Sequence, residues 1–219
     1  MFDADCLKLM FVAGSQDFYH IKGGKNDRIN ALLETLELAL QSKITAFQFR
    51  QKGDLALQDP TQIKQLALEC QKLCQKYGVP FIVNDEAKLA LELKADGVHV
   101  GQEDMAIEEV ITLCKKRLFI GLSVNTLDQA LKARHLDAVA YLGVGPIFPT
   151  PSKKDKQVVG VELLKKIRDS GVKKPLIAIG GITMHNAPKL CEYGGIAVIS
   201  AITQAKDKAL TIEKLLNNA

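Results

Sequence analysis

No stretch of this chain approaches the 18 or so consecutive apolar residues that a membrane-spanning helix needs, which excludes a helical membrane protein. The first residues carry Asp3 and Asp5 where a secretory leader carries positive charge, so a cytoplasmic protein is expected. Cysteine is sparse and unpatterned. Five residues (Cys6, Cys70, Cys74, Cys114, Cys191) are an odd, scattered set that reads as reduced thiols and excludes a disulfide scaffold. Cys70 and Cys74 lie one helical turn apart, yet no second Cys or His pair accompanies them, and they read as small core side chains. The four histidines show no H-x-x-x-H spacing, and no Ser-His-Asp or Cys-His grouping suggests covalent catalysis. His99, between Val98 and Val100, reads as a satisfied packing histidine. Basic residues exceed acidic ones by only 29 to 25 and form no arm or aromatic-basic stripe, so neither nucleic acid nor a membrane surface is an expected partner.

What the 219 residues do contain is the balance of a soluble globular domain, 47% hydrophobic and 25% charged. A chain of this length buries roughly 70% of the surface its unfolded form exposes, so one domain needs neither disulfide nor structural metal. Short β-rich runs alternate with helical patterns from end to end. Strands are expected at 8–13, 44–49, 80–83, 97–100, 119–123, 138–144, 175–179 and 196–200. Helices are expected at 28–41, 62–77, 87–93, 107–116, 127–134, 161–170, 187–193 and 210–216. The 62–77 helix is framed by Asp59-Pro60-Thr61 before it and Gly78 after it.

Alternation of this kind implies parallel strands joined by right-handed crossovers. Eight units close into a single-domain (β/α)8 TIM barrel, whereas an open doubly wound sheet favours five or six strands. No G-x-G-x-x-G follows the first strand. The longest connection, 146–160, follows the sixth strand and holds Pro, Thr, Ser and three lysines; such loops are usually functional.

In a barrel the active site lies at the C-terminal strand ends, where the polar residues of this sequence gather. Arg50 and Lys52, two apart beside Gly53, would point the same way and supply fixed cations for a phosphate or diphosphate; the alternative is an ion pair with a nearby carboxylate. Asp85 and Asp104 end adjacent strands. Two close carboxylates repel unless a cation lies between them, and hard oxygen donors beside a diphosphate suit Mg²⁺. For Asp85 a helix N-cap is an equal alternative, because Glu86 begins a helix. Glu103 has the opposite side-chain parity and reads as loop solvation. Gly180-Gly181, with Ile199-Ser200 on the neighbouring strand, matches where barrels bind phosphate through backbone N–H groups, although tight turns use the same residues.

Taken together, Gln48-Phe49-Arg50-Gln51-Lys52, Asn84-Asp85, the 95–104 segment ADGVHVGQED, Gly121-Leu122-Ser123, the 143–153 segment GVGPIFPTPSK, the 178–182 segment AIGGI and the 198–202 segment VISAI resemble the thiamine-phosphate synthase family. The match runs in order from the second strand to the eighth. The resemblance implies a Mg²⁺-dependent transferase of thiamine biosynthesis. It would join 4-amino-2-methyl-5-hydroxymethylpyrimidine diphosphate to 4-methyl-5-(2-phosphoethyl)thiazole, giving thiamine phosphate and diphosphate through a pyrimidinylmethyl cation. It further implies that Gln48, Phe49, Arg50, Gln51, Lys52, Asn84, Ser123 and Lys153 contact the pyrimidine diphosphate, with Arg50, Lys52, Ser123 and Lys153 as the catalytic set. Asp85 and Asp104 would hold Mg²⁺, and Thr150, Pro151, Ser152, Gly181, Ile199 and Ser200 would contact the thiazole phosphate.

Ser152 stands where the family more often has Thr, Asn125 where many relatives carry His, and the turn at 13–17 is less typical. A thiazole tautomerase on the same barrel would be expected to use a His near position 125 and to dispense with the Arg-x-Lys and Asp set. A binding barrel without catalysis is the third class. A homo-oligomer is left open.

Overall fold

Each apolar run between turn residues pairs in parallel with the next one, and the last pairs with the first. The computed structural model describes residues 2–150 and 157–217. The strands are β1 (Leu9–Ala13), β2 (Ala46–Phe49), β3 (Phe81–Asn84), β4 (Gly97–Val100), β5 (Phe119–Val124), β6 (Val139–Val144), β7 (Leu176–Ile179) and β8 (Gly195–Val198). They form a closed barrel in sequence order, β8 meeting β1 through Leu9 opposite Ile196 and Phe11 opposite Val198. This is the expected (β/α)8 architecture. The helices outside it are α1 (Lys25–Gln41), α2 (Pro60–Tyr77), α3 (Ala87–Leu93), α4 (Ile107–Cys114), α5 (Leu127–Ala133), α6 (Gly160–Asp169), α7 (Ser200–Thr203) and α8 (Lys208–Asn217). Among the described residues no helix is long and apolar enough to cross a membrane.

Strand parity divides the core in two. Met10, Val12, Ala46, Ile82, Tyr141, Ile177 and Ala197 face inward and fill the barrel. Leu9, Phe11, Phe47, Phe49, Phe81 and Val83 face outward and pack beneath the helices. Strands covered on both faces are why these segments are nearly continuous apolar runs. Cys70 and Cys74 lie fully buried in the outer layer, as small core side chains should.

Helix boundaries follow local chemistry. Asp59 accepts a hydrogen bond from Thr61 N at 2.8 Å, Pro60 occupies the first helical position, and Gly78 ends α2 at φ 68°. α1 begins three residues before the expected start because the Asp27 carboxylate accepts from Gly24 N at 2.6 Å. α4 stops at Cys114, since Lys115 and Lys116 turn to positive φ.

Two expectations fail. The helix expected over 187–193 is a single 3-10 turn, Ala187–Lys189. Pro188 lacks an amide donor, and Asn186 is engaged upstream, accepting from Thr183 N at 2.8 Å and donating to Gly181 O at 3.0 Å. The eighth strand ends at Val198, not 200, because Ile199 (φ −117°, ψ −81°) turns the chain into α7.

The connection after β6 leaves along β7: Ile147 N donates to Ile179 O at 2.9 Å and Phe148 N to Gly180 O at 3.0 Å. A Cβ at Gly180 would lie 2.7 Å from Pro146 Cα, and one at Gly181 would lie 2.5 Å from Pro149 O. The two glycines, both at positive φ, therefore make room for this chain segment.

The seam of the barrel is as tight. A Cβ on Gly195 would lie 1.8 Å from the Leu7 carbonyl oxygen, a backbone atom that no rotamer change can move. Gly195→Ala is expected to lower stability by about 2 kcal/mol or more, as overpacking of a closed core does. Urea unfolding checks this, and an unchanged midpoint would show that the seam can open.

Candidate active site

All eight strands end on one rim, and β2 brings the first cations there. Gln48 is buried inside the barrel. Arg50 and Lys52 line one cleft, as their two-residue spacing requires. The turn after β1 holds this segment in place. Arg50 N donates to Ala13 O at 3.0 Å, and Gln16 Nε2 donates to Arg50 O at 2.7 Å. A Cβ at Gly14 would lie 2.0 Å from that carbonyl oxygen, so only glycine fits beneath Arg50. The Asp17 carboxylate accepts from Gly14 N at 2.8 Å and Gln16 Nε2 at 2.7 Å. Burial pushes its pKa up to about 6 against the pull of these donors and of Arg50. That the 13–17 turn acts as this brace is not legible in local spacing, because it depends on contact with the end of β2.

Two members of the expected contact set point elsewhere. Phe49 is only 2% exposed and packs against Phe81 under the helices, because strand parity turns it away from Gln48. Gln51 Oε1 accepts from Ser15 Oγ at 3.2 Å and Leu57 N at 3.1 Å, tying two rim loops together.

Lys52 binds both carboxylates, Asp85 at 2.8 Å and Asp104 at 3.2 Å. Asp85 does not cap α3. The N-cap residue is Glu86, without a side-chain cap bond, and Asp85 sits at φ 64° with its N–H donating to His99 O at 2.8 Å. Asp104 accepts from Gly101 N at 2.9 Å, and a Cβ on Gly101 would lie 2.6 Å from Asp104 Oδ2. Burial raises the Asp85 pKa above the usual carboxylate value despite Lys52. At Asp104 burial also opposes charge, but bonds from Asp85, the Gly101 amide and Lys52 outweigh it and lower the pKa. Lys52 is likewise raised, its two carboxylate partners overcoming its own desolvation. The cation expected between two close carboxylates is, in the protein itself, this ammonium.

The cleft of about 380 Å³ also takes in Asn84, Ser123, Glu103 and Asn125. Asn125 Nδ2 donates to Gly145 O, which ties β5 to the start of the 146–160 connection. Gln102 Nε2 donates to Ser123 O at 2.6 Å. Below it a slot of about 50 Å³ runs into the barrel past Gln48, His99, Tyr141, Ile177 and Ile179. His99 does satisfy both ring nitrogens, to Tyr141 Oη at 3.0 Å and Ser123 Oγ at 2.9 Å, but it does so in the wall of the cleft. Reading it as packing alone missed this, as it missed Tyr141. The signal lies in strand register, which places His99, Gly121 and Tyr141 side by side.

A second hollow, about 30 Å³, gathers Pro146, Thr150, Gly181, Ile199 and Ser200 between the ends of β6, β7 and β8. The structure thus brings together four of the six residues expected around the thiazole phosphate. Pro151 and Ser152, with Lys153 of the catalytic set, lie outside the described residues.

The sequence profile described as thiamine monophosphate synthase matches residues 18–202. The chain is 93% identical over 219 residues to a thiamine-phosphate synthase of Helicobacter pylori (strain ATCC 700392 / 26695), covering 100% of each. It is 52% identical over 216 residues to a thiamine-phosphate synthase of Pasteurella multocida (strain Pm70), covering 97% of this chain and 96% of the relative. Among solved structures, a thiamine phosphate pyrophosphorylase from Pyrococcus furiosus matches with a TM-score of 0.81 at 34% identity, over 98% of this chain and 96% of that one.

The brace beneath Arg50 has a measurable signature. Asp17 keeps its proton in the fold up to about pH 6, whereas the unfolded chain loses it near pH 4. Between those values the folded state binds more protons, so stability falls as pH rises, by about 2–3 kcal/mol in total. Asp17→Asn keeps an acceptor for Gly14 and Gln16 and removes the charge. Denaturant midpoints at pH 4 to 7 are expected to show a shallower decline in the variant; identical slopes would remove Asp17 as the cause.

Proposed function

Because the chain belongs to the thiamine monophosphate synthase family, we propose that it is a thiamine-phosphate synthase, the transferase that joins hydroxymethylpyrimidine diphosphate to thiazole phosphate in thiamine biosynthesis. The observation that carries this reading is the Lys52 ammonium bound to Asp85 and Asp104 in one cleft with Arg50, Asn84 and Ser123. A tautomerase acting on the thiazole phosphate alone has no use for such a charge array. Asn125, not His, occupies the position where that rival would be expected to place its histidine.

The pyrimidine enters the slot lined by Gln48, His99 and Tyr141, with its diphosphate toward Arg50 and Lys52. The Lys52 side chain is 53% exposed, while those of Asp85 and Asp104 are 18% and 22% exposed and anchored in the rim. An exposed ion pair of this kind is weak, so Lys52 turns to an arriving diphosphate at little cost. The C–O bond between methylene and diphosphate breaks, and its electron pair leaves with the diphosphate. The pyrimidine amino group stabilises the resulting cation. The thiazole nitrogen, held by its phosphate in the hollow at Gly181 and Ser200, then attacks the methylene carbon. No proton transfer is needed. The protein therefore has to neutralise the leaving group and position the nucleophile. Arg50 and Lys52 serve the first task, with Lys153 as a further cation from the family pattern.

The donor chemistry of Asp85 and Asp104 fits Mg²⁺. Two hard oxygen ligands already share one cation, and Mg²⁺ commonly takes one or two carboxylates together with substrate phosphate oxygens. Among the described residues no group of three or more His, Cys, Asp or Glu forms a closed cage. When bound there, the ion would supply additional neutralisation of the diphosphate.

The assay is diphosphate release by purified protein given both substrates, with and without Mg²⁺. Release is expected only with Mg²⁺ and both substrates; none from folded protein would overturn the reading. Arg50→Ala is expected to lower kcat/KM by about 10²–10³, the usual cost of one charge-stabilising donor. Its melting temperature is expected to stay within a few degrees of the parent. Asp85→Asn is expected to lose Mg²⁺-dependent turnover while the fold persists, and equal loss of stability and activity would instead assign Asp85 a structural role.

A further inference from the structure

Tyr141 is 0% exposed inside the barrel, and its hydroxyl lies 3.0 Å from His99 Nδ1. The other ring nitrogen, Nε2, lies 2.9 Å from Ser123 Oγ at the floor of the cleft. From these contacts we propose that Tyr141 is a positioning residue: it fixes His99 as the neutral Nε2–H tautomer, so that Ser123 turns its hydroxyl proton toward the substrate.

The sequence makes specific room for this chain of contacts. His99, Gly121 and Tyr141 stand at one level on β4, β5 and β6. Because the middle position has no side chain, its two neighbours meet across it. A Cβ on Gly121 would lie 2.2 Å from Tyr141 Cζ and 2.5 Å from His99 Nδ1, and one on Gly143 would lie 2.8 Å from His99 Cε1. Two glycines on adjacent strands are thus required by one imidazole–phenol pair.

Proton counting sets the direction. Burial holds the phenol far above its usual pKa, so Tyr141 remains an O–H donor. Gln48, beside it, donates its Nε2–H to Met10 Sδ at 3.4 Å. The phenol proton goes to the acceptor 3.0 Å away, His99 Nδ1, which places the imidazole proton on Nε2. Nε2–H then donates to Ser123 Oγ, and the serine proton points away from the ring, into the cleft shared with Arg50 and Lys52. There a hydroxyl donor suits an anionic oxygen. With the opposite tautomer, Ser123 would spend its proton on Nε2 and face the diphosphate with lone pairs.

The catalytic part of this inference rests on the proposed function; the tautomer does not. His20, His135 and His185 are exposed, so a His20→Gln/His135→Gln/His185→Gln protein leaves His99 as its single imidazole. Nitrogen-15 NMR of that protein is expected to show a pyridine-like Nδ1 and a pyrrole-like Nε2. A pyrrole-like Nδ1 would overturn the proposal whether or not the protein turns over. Tyr141→Phe is expected to mix the tautomers and to lower kcat about tenfold, the worth of one neutral hydrogen bond, with little change in KM. The same substitution made in Ser123→Ala is expected to change kcat less than twofold, because the group through which Tyr141 acts is gone. An equal loss in both backgrounds would show that Tyr141 only supports the fold. Absence of turnover in the parent protein would remove the proposed function and leave the NMR result to decide the tautomer.

Discussion

Closure of the parallel sheet is the constraint on which everything else in this protein depends. Once β8 pairs with β1, every strand has an inner and an outer face, and the inner space is fixed. Met10, Val12, Ile82, Ile177 and Tyr141 fill it, Tyr141 and His99 leave Gly121 and Gly143 no room for a methyl group, and at the seam the Leu7 carbonyl leaves none at Gly195. Such a core transmits position rather than flexibility. It carries the eight strand ends to one rim with a register that neighbouring loops do not have to establish.

That rim is organised by charge. Asp85 and Asp104 lie on loops that follow adjacent strands and are anchored there: Asp104 by the Gly101 amide, Asp85 by its own positive-φ backbone and its bond to the His99 carbonyl. Bringing two carboxylates so close is unfavourable without a cation, and Lys52 reaches across from β2 to supply it. The bridge links the two loops and is exposed enough to exchange partners. The proposed diphosphate role depends on that exchange, because the charge that organises the rim must be redirected to an arriving anion.

The lower part of the site follows another principle, satisfaction of buried polar groups. Gln48, Tyr141 and His99 lie where burial would be costly if any of them lacked a partner. Gln48 donates to Met10 Sδ, while Tyr141 and His99 satisfy one another in a line that ends on Ser123 in the cleft. The same contacts that make the polar interior tolerable therefore give it a direction.

Much of this was legible along the chain. The alternation of apolar runs and helical periods dictates eight parallel strands, and two-residue spacing puts Arg50 and Lys52 on one side, since side-chain parity is a local property of extended backbone. Phe49 shows that the same parity should have excluded a residue that motif resemblance included. The 187–193 segment shows where periodicity misleads, because Pro188 and the Asn186 turn override it. Whether Asp85 caps a helix or pairs with Asp104 was undecidable in one dimension. The answer depends on Lys52, 33 residues away, and on a backbone turn at φ 64°. His99, Gly121 and Tyr141 carry no mutual signal in the sequence, for their meeting depends on inter-strand register. Local spacing specifies what each strand presents; closure of the barrel specifies which of those side chains meet.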